Sequence, residues 1–503
     1  MLKKFPKNFI FSTSTCSYQI EGGRLLGGRK HSNWDKFTIE NYHIPPEGVA
    51  EREIASIDIA ADYFHRYKED AKIMKEIGVN GFAYNMDWAR IFPDNENDFN
   101  EEGIKFYEEV FKSLNENGIK PIPILYHWDS PLWLEEKGGT SSRVFLNAFR
   151  NFSKILFERL GKYTDIWYVS DENSSYTTSA YLDDYNPPQK KDEKEFWKAI
   201  YYLSISGAIA KEEFDKAKEK GYVSKDAILG IDHDWNPAIP YDKNDEDDLK
   251  ACEIFNEYNL DLFLNPNMLG IFPNCFYEAI EKFNLSDMVL EEDLNLMKKK
   301  TLDLIGWNYY RPAIIASPKR LNENIEWHNN PGHFITKEAW IVYPKNERYT
   351  AWKWLIKPEY LSIASHVLWE KYNKPLMILE NGIGYFDERK DGIVRDDYRI
   401  DYLNEHLLEV QKAINEGVPF IGYSLWTYCD IFSPSGGYRK KYGLVGVDFE
   451  NKTLDRFPKS SMYWYKDVIN NLRAFDKDEL NYNKYYDEAL KSFKTNKIWN
   501  KNN

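Results

Sequence analysis

A chain of 503 residues, 43% hydrophobic and 16% aromatic, is long enough to bury a large core, either as about three domains or as one barrel grown by loop insertion. A formal net charge of -14 argues against nucleic acid or an anionic membrane as a partner, because neither is attracted to a negative field; a small anion in a local basic pocket stays open. Cys16, Cys252, Cys275 and Cys429 show no CxxC or zinc-like spacing, so they read as reduced thiols of a cytoplasmic protein, and no metal site is suggested.

The start MLKKFPKNFIF has too few apolar residues before Ser12 for a signal-peptide core. No run of about 18 apolar residues follows to span a membrane. In chain order, short apolar or β-branched runs predict strands at 9–14 (FIFSTS), 79–86 (VNGFAYNM), 120–128 (KPIPILYHW) and 165–172 (DIWYVSDE). Four more follow at 227–233 (AILGIDH), 304–310 (LIGWNYY), 375–380 (PLMILE) and 419–426 (PFIGYSLW). Helical patterns lie between them, among them DYFHRYKEDAKIMKEIG, closed by Gly78, and YLNEHLLEVQKAINEG, closed by Gly417. Eight strands alternating with helices predict an α/β fold, a (β/α)₈ TIM barrel. The connections 28–60, 234–300 and 311–374 carry the remaining length as large βα-loop insertions. Residues 1–470 read as this one barrel domain. The Lys/Asn/Tyr-rich segment 471–503 reads as a C-terminal extension, with a last helix at DEALKSFK.

In such a barrel the site lies at the C-terminal ends of the strands. There the sequence places Gln19 and Glu21, Asp87 and Arg90, His127, Asp171 and Glu172, Asn308 and Tyr310, Glu380 and Asn381, and Trp426. Glu172 and Glu380 would bring two carboxyl groups to one mouth, the pair that glycoside hydrolysis needs: an acid for the leaving oxygen and a carboxylate for the anomeric carbon. On spacing alone this is weak, since 80 acidic residues put some glutamates at strand ends by chance. The 16 Trp and 36 Tyr suit stacking on pyranose faces, although core packing accounts for most of any such set.

The motifs are more specific than the spacing. FPKNFIFSTSTCSYQIEGG, HWDSPLWLEEKGG, SDENSS, GWNYY, ILENG and LWTYCDIFSPSGGYRKKYGLVGVD occur in order, and with them the chain up to about residue 470 resembles glycoside hydrolase family 1, the β-glucosidase and 6-phospho-β-glycosidase family. The resemblance implies a retaining β-glycosidase without a cofactor. Glu172 would be the general acid/base and Glu380 the nucleophile, with the carboxyl groups about 5 Å apart. It also implies sugar contacts from Gln19, His127, Trp128, Asp171, Asn308, Tyr310 and Trp426, and a contact of Tyr310 with Glu380.

Where plain β-glucosidases of that family carry a glutamate for the sugar's 4- and 6-hydroxyls, this chain has Ser433. Ser433, Lys440 and Tyr442 are similar to the set of the 6-phospho members: a hydroxyl, an ammonium and a phenol supply donors to a phosphate that a glutamate would repel. Small Pro434 leans toward 6-phospho-glucosides over galactosides. The expected partner is therefore a small-molecule glycoside, 6-phosphorylated by this reading. Whether the chain forms a homo-oligomer is left open.

The chain also departs from the family pattern. Ala83 stands where an arginine normally touches the nucleophile, Asp171 stands for the asparagine before the acid/base, and Asn173 for the proline after it. Losing a cation and adding an anion both disfavour ionised carboxylates, so the functional pKa values are expected to rise. Two alternatives to the phosphorylated substrate follow: unphosphorylated or 2-amino sugars, the latter pairing an ammonium with Asp171, or an impaired barrel that binds sugar without efficient turnover.

Overall fold

The computed structural model describes residues 2–41, 58–327, 336–433 and 437–499. Eight parallel strands close into a barrel: β1 (Ile10–Thr15), β2 (Gly81–Asn85), β3 (Lys120–Tyr126), β4 (Ile166–Ser170), β5 (Ile228–His233), β6 (Leu304–Asn308), β7 (Leu376–Glu380) and β8 (Phe420–Trp426). Each strand pairs with its chain neighbour, and β8 closes on β1 in register from Ile10 opposite Gly422 to Ser14 opposite Trp426. Every run predicted as a strand supplies one barrel strand.

The runs are continuously apolar because both faces are covered, by helices outside and side chains inside. Ala83, Ile122, Ile124, Tyr168, Leu304, Met377 and Leu379 fill the interior, so the barrel is a packed core rather than a pore. Alternation along the strands then fixes what points into the mouth. Asn308 follows Leu304 and Gly306 on the inward side of β6, and Asp232 follows Ile228 and Gly230 on that of β5. Gly306 makes room for this arrangement: a Cβ there would lie 2.8 Å from Asp232 Oδ1 and 2.6 Å from Leu379 Cδ1.

The predicted helix ends are where the chain turns. Gly78 takes φ 94° after the helix Tyr63–Ile77, and its N–H returns to the carbonyls of Met74 and Lys75. Gly417 follows the helix Asp397–Asn415 with φ 104°, a left-handed geometry that favours glycine. The connection 234–300 is more ordered than a loop reading implies. It folds into helices Glu246–Asn256, Leu262–Met268, Asn274–Lys282 and Glu291–Lys299, the first capped by the Asp245 carboxylate on the N–H groups of Asp247 and Asp248. Ala238–Pro240, after β5, pairs with Ala313–Ala316 and, through it, Trp340–Ile341, after β6, in a small three-stranded sheet outside the barrel. The last helix, Tyr482–Thr495, packs on Ser460–Asn471. Among the described residues no helix is long and apolar enough to cross a membrane. All four cysteines are buried free thiols.

Candidate active site

A cavity of about 450 Å³ opens at the C-terminal ends of the strands and is lined by Gln19, His127, Trp128, Glu172, Asn308, Tyr310, Glu380, Trp426, Ser433, Lys440 and Tyr442 among others. Its size suits a sugar with a small aglycone. The cavity thus brings together both predicted glutamates and every predicted sugar contact except Asp171.

Glu172 lies two residues past the end of β4 and adopts φ 44°, ψ 51° at the start of the short helix Asn173–Thr177. A non-glycine residue in this left-handed region is strained, and such strain is concentrated where a side chain must be aimed. Glu380 ends β7 beside an irregularity that sets it opposite Asn308 of β6. The Asn308 amide reaches across to the end of β4: its Nδ2 donates to Glu172 Oε1 at 3.0 Å and to Asp171 Oδ1 at 2.9 Å. The Tyr310 hydroxyl donates to Glu380 Oε2 at 2.6 Å.

Both carboxyl groups sit well above the usual carboxylate range. For Glu172 burial is the largest cause, followed by the nearby charges of Asp234 and Asp171, with the Asn308 hydrogen bond pulling the other way. For Glu380 burial again leads, then the charges of Asp171 and Glu172, opposed by the Tyr310 hydroxyl. Of the departures from the family pattern, the Asp171 charge adds to both rises, with burial the larger cause in each. The residue standing where the family arginine would lie, Ala83, is wholly buried in the apolar interior layer.

Asp171 departs from its expected place. It is fully covered beneath the wall formed by His127, Asn308 and Glu380 and is not part of the cavity lining. Its Oδ2 lies 2.6 Å from His127 Nδ1. Burial pushes its pKa up, but the His127 charge and hydrogen bonds from Asp232, His127 and Asn308 outweigh this and leave it lowered. Its carboxylate is turned toward His127 and Asn308 instead. The Trp128 indole N–H also donates to its backbone carbonyl at 2.9 Å.

Under Asp171 lies Asp232, which sequence reasoning did not single out. It is 1% exposed, and among the described residues no N–H or hydroxyl reaches either of its oxygens. Burial and then the Asp171, Glu380 and Glu172 charges push its pKa well up. Its surroundings therefore favour the neutral form of Asp232, while those of Asp171 favour the ionised one. Asp232→Asn, which keeps a donor and stays neutral, is expected to leave kcat within about threefold of wild type and the acid limb of the pH–rate profile in place. A shift of that limb to lower pH would show instead that Asp232 is ionised.

Glu21, Asp87 and Arg90, also noted at strand ends, are structural. Arg90 Nη2 lies 2.7 Å from Glu21 Oε2, Glu21 also accepts from Tyr84 and Tyr107, and Asp87 pairs with Arg29. Asn381 braces the strand ends, donating to the Tyr309 carbonyl at 2.6 Å. Among the described residues, His127, Asp171 and Glu380 form a grouping with metal-donor atoms within 4.8 Å of one another; His127 and Glu380 line the cavity, with Asp171 covered behind them.

Around Ser433 the cavity is cationic and aromatic. Lys440 is 2% exposed, with Nζ 4.4 Å from the Trp354 ring centre, 4.7 Å from Trp352 and 5.2 Å from Tyr442. Burial, and then the Arg311 charge, bring its amine down to about 7. Trp352, Trp354, Arg311 and Asp234 come from connections whose placement only the fold reveals. The one signal for the tryptophans was aromatic surplus. Pro434, the residue bearing on gluco against galacto preference, lies outside the described residues.

A (β/α)₈ barrel with two glutamates, Glu380 buried and Glu172 half-buried, converging on a sugar-sized cavity from the ends of β4 and β7 is the architecture of a glycoside hydrolase. The Glycosyl hydrolase family 1 model matches residues 1–473, and the chain belongs to that family, as a retaining β-glycosidase. It is similar to the Aryl-phospho-beta-D-glucosidase BglC of Bacillus subtilis, 33% identical across 93% of this chain and 97% of that protein. It is also 33% identical to the 6-phospho-beta-galactosidase of Leptotrichia buccalis, across 93% and 99% of the two chains. Among solved structures, the family 1 b-glucosidase from Thermotoga maritima superposes with a TM-score of 0.82 at 30% identity, covering 94% of this chain and 100% of that one.

Proposed function

We propose that this protein hydrolyses 6-phospho-β-glycosides in the cytoplasm, with net retention of configuration, through Glu380 and Glu172. The carrying observation is the composition of one cavity, whose lining includes both Glu172 and Glu380 together with Ser433, Lys440 and Tyr442. The names of the Bacillus and Leptotrichia relatives accord with a phosphorylated substrate, and that of the Thermotoga enzyme with an unphosphorylated one. Serine in place of a carboxylate at position 433 favours the former. The four buried free thiols accord with a reducing compartment.

In the first step an oxygen of Glu380 in its ionised form, the form that its raised pKa makes scarcer, attacks the anomeric carbon as the glycosidic bond breaks, and the Glu172 proton passes to the departing oxygen. The raised pKa of Glu172 keeps that proton available near neutrality. Tyr310 holds Glu380 at the angle of attack and Asn308 holds Glu172. In the second step ionised Glu172 takes a proton from water, the resulting hydroxide attacks the anomeric carbon, and the Glu380 ester bond breaks. Both glutamates return to their starting states. Trp128 and Trp426 offer faces for the pyranose ring, while Gln19, steadied by donating to the Phe432 carbonyl at 2.6 Å, reaches its hydroxyls.

Four substrates test the reading: p-nitrophenyl β-glucoside and β-galactoside, each with and without a 6-phosphate. A kcat/KM at least about tenfold higher for the phosphorylated pair is expected. Preference for the unphosphorylated pair would refute the phosphate assignment, and no turnover of any of the four would favour the impaired-barrel alternative.

A further inference from the structure

Arg311 directly follows Tyr310, the tyrosine that holds Glu380, and lines the same cavity. Its guanidinium carbon lies 5.4 Å from the centre of the Trp354 ring, on which Lys440 Nζ also rests at 4.4 Å. Trp354 in turn packs edge-on against Tyr310, with ring centres 5.1 Å apart. One indole thus joins two cations to the reacting end of the cavity. Burial dominates the surroundings of Arg311 and lowers its pKa, and the group acting in the other direction is the Tyr343 hydroxyl rather than an acid. A guanidinium does not release its proton at accessible pH, so a half-buried one sharing an indole with a second cation is a repulsion that a bound anion relieves.

We propose that Arg311 and Lys440 form a two-cation cradle on Trp354 that binds the phosphate of a 6-phosphorylated glycone. This rests on the phosphoglycosidase reading and adds a specificity residue to it. A phosphate dianion suits the pair better than a carboxylate does, because it offers acceptor oxygens to a planar fork and an ammonium together. The arginine would fix the orientation of the phosphate, and the lysine would meet it as a point charge.

The test compares wild type, Arg311→Gln and Arg311→Lys on p-nitrophenyl β-glucoside 6-phosphate, p-nitrophenyl β-glucoside and p-carboxyphenyl β-glucoside, with thermal melts alongside. The wild-type preference for the 6-phosphate is expected to fall about tenfold or more in Arg311→Gln and to return in part in Arg311→Lys. Equal losses on all three substrates, or an unchanged preference, would overturn the proposal while leaving the phosphoglycosidase reading intact. A loss confined to the carboxyphenyl substrate would also overturn it, by assigning Arg311 to the aglycone. If wild type itself shows no 6-phosphate preference, the phosphoglycosidase reading fails and this proposal falls with it. Inorganic phosphate as an inhibitor gives a second readout: its inhibition constant should rise in Arg311→Gln, and equal inhibition of both forms would contradict the cradle.

Discussion

Replacing Glu380 with glutamine is expected to lower kcat on any accepted β-glycoside by about 10⁴-fold or more, because the group that forms the covalent bond is lost. The same substitution should make the protein more stable at neutral pH. The Glu380 carboxyl is raised above its unfolded value by burial and by the charges of Asp171 and Glu172, so the folded state binds this proton more tightly than the unfolded chain. That contribution to stability is complete below the unfolded value of about 4.3 and is lost as pH rises through the folded one. Glutamine stays neutral throughout. The melting temperature of Glu380→Gln should therefore exceed wild type at pH 7 and converge with it near pH 4. Loss of activity together with loss of stability at pH 7 would mean that Glu380 supports the fold rather than the chemistry.

The second large effect concerns Lys440. Lys440→Met is expected to lower kcat/KM for 6-phospho substrates by roughly 10- to 100-fold, the range of a hydrogen bond to a charged group. The wild-type pH dependence carries the same signature. The Lys440 amine, brought down to about 7 by burial and by Arg311, is an ammonium below that pH and increasingly neutral above it. A phosphomonoester becomes a dianion above about pH 6. The kcat/KM ratio of phosphorylated to unphosphorylated substrate should therefore fall as pH rises beyond about 7 in wild type. In Lys440→Met it should be low and flat. Taking the ratio cancels the titration of Glu172 and Glu380, which both substrates share, and a ratio independent of pH in wild type would place the phosphate away from this amine.

Much of the architecture is legible without coordinates because both faces of a barrel strand are buried. That requirement writes itself as short apolar runs, and Gly78 and Gly417 mark helix ends through the left-handed backbone they adopt. The two glutamates are legible because strand ends in this fold point to the mouth. Asp171 shows where such reading stops. Its place at a strand end is correct, but its direction depends on His127 and Asn308, which arrive from other strands. Asp232 was hidden because an Asp-His-Asp sequence closing an apolar run reads as the start of a loop, whereas strand alternation turns the first aspartate inward. Arg311, Trp352 and Trp354 were hidden for another reason: they lie in a connection whose path is set by the small sheet outside the barrel, and no periodicity predicts which of its side chains face the cavity.

The central claim is that Glu380 becomes covalently bound to the sugar while Glu172 handles protons. A 2-deoxy-2-fluoro-β-glucosyl fluoride, prepared with and without a 6-phosphate, slows both steps but the second more, so the intermediate accumulates. Peptide mass spectrometry after incubation should find one fluoro-sugar on Glu380, formed faster with the 6-phosphate. Labelling at Glu172 or elsewhere, or inactivation without a covalent adduct, would contradict the account.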